Sequence, residues 1–151
     1  GKGDPAMYEK ILVPLDGSEL AERAVRHAEE IARGTGAEIL LLQAVHIPMP
    51  IVPEAVLIAG GKAVEEAAKE AAAYLEAKVT ELNQKGVEKV SSILLVGSGA
   101  DEIIDLARKT PDNLIAMCTH GRSGVNRWVL GSVTEKVVRH SGDPVLVIRA
   151  E

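Results

Sequence analysis

The chain has 151 residues and a formal net charge of −5, and hydrophobic residues make up 46% of it. This length favours a single domain, and the mildly acidic balance argues against a general nucleic-acid binder. The single cysteine excludes an internal disulfide and fits a reducing compartment. No stretch has the length of a transmembrane helix, and no signal peptide is evident, so a cytoplasmic location is expected.

Residues 1–6 ahead of Met7 look like a cloning remnant, so the domain is expected to span residues 7–151. Phe is absent, and the chain has one Trp and two Tyr. The core must therefore be built from Val, Ile, Leu and Ala, which suits a parallel sheet covered by helices.

Strands and helices alternate along the chain. Short apolar runs bounded by turn residues predict strands, and apolar residues at helical spacing predict helices between them. The predicted strands are Lys10–Pro14, Glu38–Val45, Ser91–Val96, Asn113–Cys118 and Pro144–Arg149. The predicted helices run from the turn at 16–18 to about Arg33, and over Ala63–Lys85, Ala100–Lys109 and Val133–His140.

Residues 46–62 are expected to be irregular, because this segment contains three prolines and the pair Gly60-Gly61. Its apolar residues would suit a lid or a partner surface. A long loop that folds back on its own domain is the favoured alternative.

Five strands with four intervening helices predict a single-domain α/β fold, a doubly wound five-stranded parallel sheet flanked by helices. Ligands of such sheets lie beyond the carboxyl ends of the strands, where the strand order reverses. The ends of the first, second and fourth strands are therefore expected to meet near Asp16, Ala44 and Cys118.

The segment from Cys118 to Thr134 is the most informative part of the sequence, since it follows a strand and leads into a helix. Ser132 with Glu135 forms a capping-box pattern, and Gly131 permits close backbone approach. The unpaired N–H groups at a helix start suit a phosphate, and Arg122 in the loop would add positive charge. The alternative is an ordinary connection whose glycines only shape turns.

Other catalytic and binding motifs are incomplete in the sequence. Gly97-Ser-Gly99 lacks the third glycine of the dinucleotide fingerprint, and neither a P-loop nor a nucleophile elbow occurs. The histidines show no paired metal spacing, and only His120 lies in the suspected phosphate loop. Asp16 either holds a helix start or accepts hydrogen bonds from a ribose, and the nearby loop favours the ribose.

Three motifs resemble those of the universal stress proteins. Cys118-Thr-His-Gly121, nine residues and then Gly131-Ser132 resemble the signature Gly-x2-Gly-x9-Gly-Ser/Thr. Lys10-Ile-Leu-Val-Pro-Leu-Asp-Gly-Ser18 and Pro144-Val-Leu-Val-Ile148 are also similar to that family, and the likeness extends from about Tyr8 to Arg149. The resemblance implies a Rossmann-like fold of the adenine-nucleotide-binding type.

The resemblance also implies a role for particular residues. Pro14 and Asp16 would border the nucleoside, with Asp16 at the ribose, and the Ala44 backbone would meet the adenine beside Val45. The implied phosphate-binding residues are Gly121, Gly131, Ser132, Val133 and Thr134, with His120, Arg122 and Ser123 in the same loop. Cys118 stands where the signature has its first glycine, and it fits there if that position is extended rather than at positive φ.

The expected function is that of a cytoplasmic, homodimeric stress-response module that binds ATP, ADP or AMP, with or without Mg²⁺. The resemblance implies a dimer through the strand at 144–149, and neither nucleic acid nor a membrane is expected as a partner. One alternative is a dimerising interaction module without nucleotide. Another is a slow ATPase, although no general base is placed by the sequence.

Overall fold

The structure, a computed structural model, describes residues 7–45, 54–119 and 132–149, without the side chains of residues 54–62. Nine elements follow one another in the described ranges: β1 Lys10–Pro14, α1 Glu19–Thr35, β2 Glu38–Val45, α2 Glu54–Gln84, β3 Val90–Val96, α3 Gly99–Lys109, β4 Asn113–Cys118, α4 Ser132–His140 and β5 Val145–Ile148.

The strands form one parallel sheet with the order β3-β2-β1-β4-β5. The chain moves outward from β1 to β3 and then returns to the other side of β1. Right-handed crossovers therefore place α1 and α2 on one face of the sheet and α3 and α4 on the other. This architecture confirms the predicted α/β fold.

Two apolar layers make up the core, one on each face of the sheet. Side chains alternate between the faces along each strand, so Leu41 of β2 packs with α1 and α2 whereas Leu42 packs with α3 and α4. Because both faces are covered, the central strands are apolar along nearly their whole length. This explains why their sequences are continuous apolar runs.

The prediction that residues 46–62 are irregular is wrong from Glu54 onward, because α2 begins there. The helix is 31 residues long and includes Gly60-Gly61. Each glycine disfavours the helix by only about 1 kcal/mol relative to alanine, and extension of an existing helix is cooperative. Residues 46–53 lie outside the described residues, so the lid interpretation stays a prediction.

Other boundaries differ from the prediction by one or two residues. β3 begins at Val90, and β5 is Val145–Ile148 because Pro144 supplies only its carbonyl, which accepts a hydrogen bond from the Ile115 N–H. Gly36 ends α1 in the left-handed conformation, with φ 81°. Among the helices of the described ranges, none is long and apolar enough to cross a membrane.

Two adjacent valines of α4 test how much the second apolar layer stabilises the fold. Val137 is 0% exposed and Val138 is 41% exposed. We expect Val137→Ala to lower the free energy of unfolding by about 2 kcal/mol, because two methyl groups are lost and a small cavity remains. Val138→Ala makes the same chemical change at the surface, and we expect an effect within about 0.5 kcal/mol. Equal losses for both variants in urea unfolding would contradict the packing described here.

Candidate functional site

A cleft of about 210 Å³ opens at the carboxyl ends of β1, β2 and β4. It is bounded by these strand ends and by the first turns of α3 and α4. Six residues singled out from the sequence line it: Pro14, Asp16, Ala44, Cys118, Val133 and Thr134. Apolar side chains such as Leu42, Ile103 and Met117 complete the wall, and the sequence analysis did not assign them to the site.

Asp16 shapes the connection from β1 to α1. One carboxylate oxygen accepts a hydrogen bond from the Ser18 N–H at 2.9 Å, and the Ser18 hydroxyl in turn accepts one from the Ala21 N–H at 3.2 Å. Ser18 is the N-cap of α1, and Gly17 between the two has φ 84°. The helix-start role considered from the sequence is therefore present, and the same half-buried carboxylate also faces the cleft.

Cys118 connects three elements at the cleft. Its thiol donates a hydrogen bond to the Leu20 carbonyl in the first turn of α1, and its own carbonyl accepts one from the Thr134 hydroxyl at 3.0 Å. Asp112 is the one non-glycine residue of the described ranges with positive φ, so Cys118 is an ordinary strand residue. The condition under which a side chain fits this position is therefore met.

Burial raises the pKa of the Cys118 thiol, an effect that the Ala24 N–H and the Arg23 charge partly oppose. The thiol is therefore protonated at neutral pH and acts as a hydrogen-bond donor. A protonated thiol is a poor nucleophile.

The first turn of α4 forms the far end of the cleft. Thr134 is 4% exposed and anchors this turn to β4, whereas Ser132 and Val133 are exposed. The Glu135 carboxylate pairs with Arg139 at 2.9 Å, one turn further along the helix. The residue before Ser132 lies outside the described ranges, so the capping box predicted from Ser132 and Glu135 stays a prediction.

The other predicted loop residues also lie outside the described ranges: His120, Gly121, Arg122, Ser123 and Gly131. The structure thus brings together the strand-end residues and the start of α4, but not the loop between them. Among the residues it describes, no group of three or more His, Cys, Asp or Glu side chains is arranged to hold a metal ion.

A second cavity, which we call the groove, lies on the α1 and α2 side of β2 and has a volume of about 600 Å³. It shares Asp16 and Ala44 with the cleft, and Val45 lies in its wall. Gln43 and Tyr74 also line it, and the sequence analysis missed both. Gln43 had a detectable signal, since it is a polar residue inside an otherwise apolar strand, whereas Tyr74 had none.

The environment of Tyr74 in the groove shifts the pKa of its phenol. Burial, followed by the negative charge of Glu22, raises the pKa of Tyr74 to about 12. The Lys78 ammonium lies 5.9 Å from the ring centroid, partly opposes this rise, and forms ion pairs with Glu22 and Glu81. These contacts fix the Tyr74 ring between α1 and α2.

The fold is an α/β domain with a cleft at the carboxyl edge of its sheet. The model of the universal stress protein family matches residues 7–149. Universal stress protein MJ0531 of Methanocaldococcus jannaschii is 34% identical over 145 residues, which cover 95% of this chain and 83% of that protein. The chain therefore belongs to the universal stress protein family.

Solved structures agree with this assignment. Universal stress protein UspA from Lactobacillus plantarum is 27% identical and superposes with a TM-score of 0.86, covering 96% of this chain and 100% of the other. A universal stress protein from Archaeoglobus fulgidus in complex with dAMP is 26% identical, with a TM-score of 0.65 and coverages of 94% and 98%. A further universal stress protein structure, in complex with cAMP, is 25% identical, with a TM-score of 0.58 and coverages of 93% and 96%.

The raised pKa of Tyr74 predicts a specific loss of stability at high pH. The folded protein retains the phenolic proton up to about pH 12, whereas the unfolded chain releases it near pH 10. The stabilisation is thus complete below about pH 10 and is lost as the pH rises to about 12. Because Tyr74 is partly solvated, we expect about 1 kcal/mol rather than the full value of the shift.

The measurement is urea unfolding of the protein and of Tyr74→Phe at intervals from pH 9 to pH 12. The unfolding free energy of the original protein should fall by about 1 kcal/mol relative to that of Tyr74→Phe across this range. Tyr8→Phe, which leaves Tyr74 in place, should show the same pH-dependent fall as the original protein. A constant difference between the protein and Tyr74→Phe would contradict the environment described for the phenol.

Proposed function

We propose that this protein binds an adenine nucleotide, ATP or its close relatives ADP and AMP, in the cleft and acts as a signalling module of the stress response. One observation carries the proposal: a single cleft has the Asp16 carboxylate at the end of β1 and the first turn of α4 in its walls. These are the two groups that a ribose and a phosphate need, a hydrogen-bond acceptor for hydroxyls and a helix start for the anion.

The start of α4 supports a phosphate position. The first N–H groups of a helix lack partners within the helix, and the peptide dipoles add a partial positive charge there. Ser132 and Val133 are exposed at this turn, while Thr134 ties it to the end of β4. Under this proposal, Gly121 and the segment 131–134 hold the phosphates.

The nucleoside half has its own support. Asp16 would accept hydrogen bonds from the ribose, Pro14 would pack beside it, and the Ala44 backbone would meet the base. Both Pro14 and Ala44 line the cleft with Asp16. The complexes of two structural relatives with dAMP and cAMP support an adenine nucleotide as the ligand class.

We propose a binding role rather than an enzymatic one. The acids near the cleft already have structural partners, since Asp16 holds the start of α1 and Glu135 pairs with Arg139. Fast phosphoryl transfer needs a positioned nucleophile and charge neutralisation around the phosphates. A slow ATPase remains the rival, and phosphate release measured on the same samples distinguishes the two.

Asp16→Asn tests the proposed ribose contact. Asparagine keeps an oxygen that can accept from the Ser18 N–H, so the start of α1 should survive, but it removes the negative charge offered to the ribose. We expect ATP affinity to fall about tenfold in titration calorimetry, because hydrogen bonds to a charged acceptor are stronger by about that amount.

Asp105→Asn is the matched control, since Asp105 is exposed on α3 and the variant undergoes the same change in net charge. We expect its ATP affinity to stay within about twofold of the original. Equal affinity in Asp16→Asn and Asp105→Asn would remove the ribose role of Asp16. If no adenine nucleotide binds the unmodified protein, the nucleotide-free interaction module becomes the better function.

We also propose that the protein is a homodimer through β5, located in the cytoplasm. β5 is at the edge of the sheet, where backbone groups are available for pairing. The Pro144 carbonyl accepts a hydrogen bond from the Ile115 N–H of β4, and the Ile148 carbonyl accepts one from the Thr119 N–H directly after β4. Because backbone groups alternate in direction along a strand, the N–H groups of Val145 and Val147 point to the open edge.

Val147→Pro tests this dimer without breaking the internal sheet. Proline removes an N–H that points outward, and proline is tolerated at edge strands in that orientation. We expect a shift from dimer to monomer in light scattering, with a retained cooperative thermal transition. Val147→Thr keeps the N–H and a β-branched side chain, and it should remain dimeric. An unmodified protein that is monomeric at high concentration would refute the proposed dimer.

A further inference from the structure

The groove on the α1 and α2 side of β2 is adjacent to the cleft, because Asp16 and Ala44 line both cavities. The cleft alone, at about 210 Å³, is smaller than the roughly 300–1,000 Å³ of most small-molecule sites. A ligand that enters the cleft beside Asp16 therefore has further room past Ala44, in the direction of Gln43 and Tyr74.

Gln43 is the uncharged amide in the wall of the groove. Its Oε1 atom is buried and accepts no hydrogen bond from the residues that the structure describes. A buried acceptor without a donor is destabilising, and such groups are rare in folded proteins. Since no hydrogen bond holds this orientation and the last torsion of glutamine is soft, the amide can turn toward the groove when a partner is present.

The charges around the groove determine which partner it accepts. Asp16 and Glu70 line it, and the Glu22 carboxylate is close enough to raise the pKa of Tyr74. The nearby Lys78 ammonium is already paired with Glu22 and Glu81. This acidic wall repels phosphate groups and favours a group that donates hydrogen bonds.

We propose that Gln43 hydrogen-bonds to the base edge that carries the amino group of the nucleotide and thereby selects adenine over hypoxanthine. The inference rests on the proposed function, in which the base lies at Ala44, the next residue along β2. On its N7 edge, adenine presents the amino donor beside the N7 acceptor, and one glutamine amide matches both at once. Hypoxanthine presents a carbonyl oxygen in place of the amino group, so it offers the amide two acceptors and no donor there.

The test compares ATP with ITP, which differ at this amino group, in titration calorimetry of the unmodified protein and of Gln43→Leu. We expect the unmodified protein to bind ATP roughly tenfold or more tightly than ITP, as expected of an amide–base pair. Gln43→Leu should bind the two nucleotides with affinities within about twofold of each other. Gln84→Leu makes the same change at an exposed position of α2 and should keep the original preference.

Stability measurements keep the test independent of folding defects. Leucine removes the unpaired oxygen and fits a strand that is otherwise apolar, so Gln43→Leu should unfold at a temperature no lower than that of the original. An unchanged ATP-to-ITP ratio in Gln43→Leu, or no preference in the unmodified protein, overturns the role of Gln43 while nucleotide binding stands. Absence of binding to both nucleotides overturns the proposed function and this inference together.

Discussion

The reversal of strand order beside β1 is the constraint from which the rest of the site follows. β1 has β2 on one side and β4 on the other. The helix that follows β1, α1, packs on one face of the sheet, and the helix that follows β4, α4, packs on the opposite face. The connections after β1 and β4 must therefore diverge at the carboxyl edge of the sheet. The cleft is the space that this divergence leaves, and its walls are the residues at the strand ends.

The walls of the cleft need contacts that hold the strand ends and the helix starts together, and Cys118 supplies two such contacts. The thiol reaches the first turn of α1, and the carbonyl receives the Thr134 hydroxyl from the first turn of α4. The signature that this segment resembles has glycine here, and glycine offers no side chain for the first contact. In this chain α1 and α4, two of the helices that border the cleft, are therefore connected through one residue of β4.

The sequence was sufficient to predict the fold because strands and helices are signalled by residue patterns within short segments. Continuous apolar runs mark strands covered on both faces, and this pattern predicted β1, β2 and β4 nearly to the residue. It failed at Gly60-Gly61, where two local helix-breaking residues lie within the long, cooperative helix α2. Gln43 and Tyr74 were missed because their proximity is a tertiary fact, created when α2 packs on β2 far along the chain. For residues 120–131 the situation is reversed: the sequence motif predicts a phosphate-binding role, and these residues lie outside the described ranges.

The two cavities differ in charge, and under the proposed function this difference fixes the direction of the ligand. A nucleotide carries its negative charge at one end, and the groove, lined by Asp16 and Glu70, is the less favourable place for it. The start of α4 in the wall of the cleft instead offers N–H groups that lack partners within the helix and a partial positive charge. The ribose would then lie at Asp16, which borders both cavities, and the base would extend past Ala44. Orientation would thus depend as much on where phosphate is repelled as on where it is bound: Glu70, which lines the groove, would repel phosphate there, and Asp16 would hold the ribose between the two cavities.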